Sequence, residues 1–141
     1  MNIGKAKVLW IEADPVFGGS MSQVQFPVEL SSFFYLPAHA LFGETRQIAV
    51  SAAGIDFQRK KMDFHHNQMW RLNLPTARQG CGGYEGNILV FERTVRKDRF
   101  RLWTIGPGHP LFRKLRAHCR TAGRIGSTRR EDGSPRAFGY C

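Results

Sequence analysis

The sequence predicts a mainly β fold, a nearly closed barrel of about seven short strands with two short helices. Three observations carry that prediction. Apolar runs are short and alternate with polar residues, as in Trp70-Arg71-Leu72-Asn73-Leu74, the period of a half-buried strand. Glycine or proline interrupts the chain after most of these runs, which marks turns. Asn87–Glu92 and Phe100–Ile105 flank the polar Arg96-Lys97-Asp98, the pattern of a hairpin.

Taken in order, Lys7–Ile11 is the first strand, and Asp14-Pro15 with Gly18-Gly19 ends it. Ser20–Ser32 is polar, but Val24, Phe26 and Val28 alternate through it, as in a strand or an extended arm. Phe33–Pro37 reads as a strand whose proline opens a short helix over Ala38–Phe42, closed by Gly43. Gln47–Val50 is a strand, Ile55–Phe57 begins another, and Trp70–Leu74 is a third that stops at Pro75. After a glycine-rich loop at Gln79–Gly83 and the hairpin, Gly106-Pro107-Gly108 precedes a helix over Pro110–Cys119. Its stripe is Leu111, Phe112, Leu115 and Cys119. Beyond residue 122 the chain is rich in Gly, Ser and Arg. The expected organisation is therefore one domain over 1–122 and a basic tail or linker over 123–141, whose removal should leave stability unchanged.

Charge is the strongest functional signal. The 141 residues carry a net charge of +10, and the excess is uneven. Residues 1–58 hold Lys5, Lys7 and Arg46 against Glu12, Asp14, Glu29, Glu44 and Asp56. All the remaining basic residues, most of them arginine, follow residue 58. Arginine forks onto phosphate oxygens and guanine edges, and the sequence shows no strongly amphipathic basic helix to lie on a membrane. The expected partner is nucleic acid. Three cysteines (Cys81, Cys119, Cys141) lack paired spacing, which fits a reducing compartment. With no long apolar run and no secretory pattern at the start, a cytoplasmic location is expected.

Two stretches resemble the B3-type DNA-binding pseudobarrel, found in plant transcription factors and in effector or target-recognition domains of restriction endonucleases. Phe34–Phe42 is similar to that family's strand, proline and short helix unit. Tyr84–Glu92 followed by Phe100–Trp103 is similar to its late glycine, apolar run and hairpin unit. The resemblance covers about residues 7–119 and implies sequence-specific binding of double-stranded DNA, gripped in the major groove by two arms. By position the arms fall near Gly19–Tyr35 and Gln58–Arg71. Cutting would belong to a nuclease domain elsewhere in the same chain, so this part would not itself be an enzyme.

The residues agree in type. Gln58–Arg71 is dense in base-reading side chains: Arg59, Arg71, Asn67, Gln68 and Asp63, with His65 and His66 among them. Lys60 and Lys61 suit phosphates. Ser20, Ser22, Gln23, Gln25, Ser31 and Tyr35 form the other surface, and Gln23 and Gln25 would share one face of a strand. Arg96 and Lys97, with Arg93, Arg99 and Arg101 nearby, would line a phosphate track. The arginine-rich part should gather on one concave face.

Metal and cofactor sites are not expected. His65-His66-Asn67 and the set Cys81, His118, Cys119 lack the further ligands and spacing that a nuclease metal or a zinc needs. No Gly-Lys-Ser/Thr follows Gly80–Gly83 to make a phosphate loop. Two alternatives remain open: a single-stranded DNA or RNA-binding barrel with exposed rings for stacking, and a small His-dependent nuclease.

Overall fold

A computed structural model describes residues 2–13, 23–37, 39–52, 56–65, 69–75, 84, 86–119, 121–129 and 135–141. Its strands are β1 (Val8–Glu12), β2 (Gln23–Pro27), β3 (Thr45–Ala52), β4 (Gln58–His65), β5 (Met69–Asn73), β6 (Ile88–Arg93), β7 (Arg99–Ile105), β8 (Thr121–Arg129) and β9 (Pro135–Tyr140). One α-helix, α1 (Pro110–His118), and two 3₁₀ helices, over Ile3–Lys5 and Val28–Phe34, accompany them. All nine strands join one sheet in the order β2-β5-β4-β3-β7-β6-β1-β9-β8. Neighbours are antiparallel except β3 and β7, which run parallel. The fold is mainly β, and the sheet curls into a half-barrel.

Alternation along the strands sorts the side chains. Leu9 and Ile11, Val24 and Phe26, Ile48 and Val50, Met62 and Phe64, Trp70 and Leu72, Leu89 and Phe91, Phe100 and Leu102 all enter one core inside the curl. Each pair sits two residues apart, as a strand with one buried face requires. Rings of Phe26, Phe33, Phe34, Phe91 and Phe100 pack there with centroids 5.1 to 5.9 Å apart. Burying each such ring contributes about 1.5–3 kcal/mol.

The segment Phe33–Pro37 is not a strand. A strand sends successive side chains to opposite faces, yet Phe33 and Phe34 are both buried in the same core. The 3₁₀ helix over Val28–Phe34 achieves this, and Tyr35, in the left-handed region at φ 57°, ends it. Nor does a helix follow Pro37 in the described residues 39–42, which form a bend and turn. Gly43, at φ 84°, donates to the Phe64 carbonyl, and Phe64 donates to Glu44, so this segment leads into the β3–β4 pair. The first stretch behind the B3-type resemblance thus folds differently from its expected unit. The later stretch forms the expected hairpin, β6 with β7.

The chain after residue 122 is not a tail. β9 pairs with β1, matching Leu9–Ile11 to Phe138–Tyr140, and β8 pairs with β9. Arg136 is fully buried. Its Nε and Nη2 donate to the Glu12 carbonyl at 2.9 and 2.6 Å, and its Nη1 donates to the Gln25 carbonyl at 2.6 Å. One guanidinium therefore ties β1 to β2, two strands far apart in the sheet order. Composition concealed this, because among the described residues the segment adds Ala137, Phe138, Tyr140 and Cys141 to the apolar packing, with a buried charge beside them.

The cysteine expectation also changes. Cys119 and Cys141 form a disulfide, with Cα atoms 4.9 Å apart. β9 beside β1 carries Cys141 to the end of α1, a proximity invisible at a separation of 22 residues. Among the described residues no helix is long and apolar enough to cross a membrane.

Candidate nucleic-acid interface

The outer face of the sheet has two halves. Over β6, β1 and β9 it is apolar: Trp10, Ile88, Val90 and Ala137 pack under Phe112 of α1. Trp10 meets the Phe112 ring edge-on at 5.1 Å, and its Nε1 donates to the Cys119 carbonyl at 3.2 Å. α1 forms here because His109 Nδ1 caps Leu111 N–H at 3.0 Å and Pro110 takes the first turn.

Over β2, β5, β4, β3 and β7 the same face is mainly polar, with Ala49 and Met69 buried within it, and no described helix covers it. Registers place its residues in rungs. Gln25 lies opposite Arg71, Arg71 opposite Asp63, and Asp63 opposite Thr45. One pleat along, Gln23 lies opposite Asn73, and Lys61 opposite Gln47. Arg59, Ala49 and Arg99 make a further rung, and Ser51 faces Arg101. Five strands at about 4.8 Å spacing give a face about 19 Å wide.

Two amide bonds order this surface. Gln23 Nε2 donates to Asn73 Oδ1 at 3.2 Å, and Asn73 Nδ2 donates to the Lys61 carbonyl at 3.3 Å. Lys61 Nζ lies 3.6 Å from Asp63. Arg59, Lys61 and Arg101 are exposed, while Arg71 and Arg99 are half-buried. The Arg99 guanidinium lies over the Phe57 ring at 5.3 Å. These cations share the face with the carboxylates of Asp63 and Glu92, so it is positive on balance. Arg46 stands apart, paired with Glu44 at 2.8 Å.

The two surfaces expected from the sequence therefore merge. Gln23 and Gln25 from one, and Arg59, Lys61, Asp63 and Arg71 from the other, lie on a single face because β5 pairs with both β2 and β4. That face is the outside of the curl, not a concave one, because the inside is filled by the core. Asn73 and Gln47 belong to it and were missed. The alternation of Trp70-Arg71-Leu72-Asn73 already placed Asn73 beside Arg71.

Other expected residues fall elsewhere. Lys60 shares the inward parity of Met62 and Phe64 and is half-buried, so it faces away from Arg59 and Lys61. Ser31 is 2% exposed within the 3₁₀ helix, and its hydroxyl has no partner among the described residues. A side chain so buried does not meet a macromolecule. Tyr35, Arg96 and Lys97 form a separate group by the β6–β7 turn, with Lys97 Nζ 5.6 Å from the Tyr35 ring centre. His65 ends β4 opposite Met69. Ser20, Ser22, His66, Asn67 and Gln68 lie outside the described residues.

Arg93 does not belong to a phosphate track. Its guanidinium donates to the carbonyls of Phe33, Gly4 and Ser32 at 3.0, 2.8 and 2.8 Å, and lies 4.2 Å from the Tyr35 ring centre. Desolvation lowers its pKa, while the Tyr35 charge acts the other way. An arginine remains charged even so, and here it pins the 3₁₀ helix to β6. Among the described residues no three His, Cys, Asp or Glu side chains gather to hold a metal ion.

No family model matches the chain, and no curated protein matches it.

Proposed function

We propose that the chain binds double-stranded DNA through the polar outer face of β2, β5, β4, β3 and β7. The observation that carries this reading is the strand register. It sets Gln25, Arg71 and Asp63 side by side across three strands. That rung spans about 10 Å, within the roughly 12 Å width of a major groove. A strand surface enters such a groove as a helix does, and an outward-curving face suits its hollow.

Roles follow from chemistry. Arg71 presents a fork to guanine O6 and N7, Gln25 an amide to adenine, and Asp63 an acceptor to cytosine N4. Gln23 and Asn73 are oriented by their mutual hydrogen bond, which lowers the cost of ordering them on binding. Lys61, Arg59 and Arg101 contact phosphates and set the register. On this reading the chain is the recognition part of a restriction endonuclease, as the B3-type resemblance implies, with cleavage performed by another domain.

Selection of random duplexes on the purified chain tests this. A shared sequence motif should emerge, with affinity falling steeply as salt rises. Recovery of no motif, with equal binding to all duplexes, would overturn base reading on this face.

A further inference from the structure

Trp103 stands where the two halves of the outer face meet. It is 43% exposed, whereas Trp10 and Trp70 are 1% and 0% exposed. On one side its register partner is Val90, part of the packing beneath α1. Along β7 the residue two before it, on the same face, is the exposed Arg101. A large ring in water costs solvation, and the usual remedy of covering it with α1 stops short of this position. The ring thus pairs an open aromatic surface with a cation about 7 Å away along the strand.

That combination matches one ligand chemistry. A nucleobase offers a flat face for stacking, and its own phosphate offers a negative charge a short distance along the backbone. Within an intact duplex both faces of every internal base are covered by neighbours. A ring on the protein can stack only on a base that is unpaired or displaced. Resting on the nucleic-acid reading above, we infer that Trp103 and Arg101 form a stacking site for one unpaired base of the bound DNA.

The three tryptophans make the test direct, because quencher-accessible emission in the free chain comes from Trp103 alone. The chain is titrated with a plain duplex and with the same duplex carrying one unpaired central base, and both emission and affinity are read. The unpaired base should quench the accessible emission and bind more tightly than the plain duplex. Trp103→Ala should lose roughly 5- to 150-fold on the bulged duplex and little on the plain one, while Trp103→Phe keeps most of the binding. Arg101→Ala should weaken both duplexes. A thermal melt of each variant separates unfolding from lost stacking, and Trp103→Tyr replaces Trp103→Ala if the latter does not fold.

If Trp103→Ala loses equally on both duplexes, or emission is unchanged on binding, the stacking site is refuted while the duplex-binding reading stands. If neither duplex binds the wild-type chain, both fall together.

Discussion

The two halves of the outer sheet face use the same backbone for opposite purposes. Over β6, β1 and β9 the outward positions are Trp10, Ile88, Val90 and Ala137, and α1 covers them. Over β2, β5, β4 and β3 the outward positions include Gln23, Gln25, Arg71, Asn73, Arg59, Lys61, Asp63 and Gln47, and no described helix covers them. The covered half also holds the disulfide and the strand that carries Arg136. Stability and binding are therefore expected to reside in different halves, and substitutions should separate them.

The largest effect is expected from removing residues 123–141, which deletes most of β8 together with β9, Arg136 and the disulfide. The cooperative thermal transition should disappear; a melting temperature like that of the full chain would return this segment to the status of a tail. Cys141→Ser should cost about 3 kcal/mol in urea unfolding under non-reducing conditions, the value for closing a loop of this length. Reductant should lower the wild type to the same level. Arg71→Ala should cost about 1–3 kcal/mol in DNA affinity and relax preference at one base pair, with the melting temperature little changed. A stability loss larger than the affinity loss would erase the division between halves. The smallest effect separates two adjacent lysines. Lys61→Ala should reduce the salt dependence of binding by about one unit, and the inward-facing Lys60→Ala should leave it unaltered.

What the sequence disclosed follows from which interactions are local. β1, β5, the β6–β7 hairpin and α1 are marked by alternation, turn residues and a helical stripe, all set within a few neighbours. The same alternation put Gln23 with Gln25 and, read consistently, Arg71 with Asn73. Pairing β5 with both β2 and β4 joins residues nearly fifty positions apart, such as Gln25 and Arg71, and no local pattern encodes that. Phe33-Phe34 misled because adjacent aromatics read as a β run, when burial of both demands a tighter turn. The final strands were illegible for a different reason. Their decisive contribution is a buried guanidinium, and arginine in a Gly/Ser-rich stretch ordinarily signals solvent.

Arg136 also fixes an order of events during synthesis. It meets backbone 124 positions earlier at Glu12 and 111 positions earlier at Gln25. Until the ribosome has released that stretch, the edges of β1 and β2 wait without it, and open edges recruit other chains. Closure by such distant segments is slow. The nascent polypeptide carries these open edges until Arg136 has emerged, and yields in the cell should rise when a chaperone is supplied.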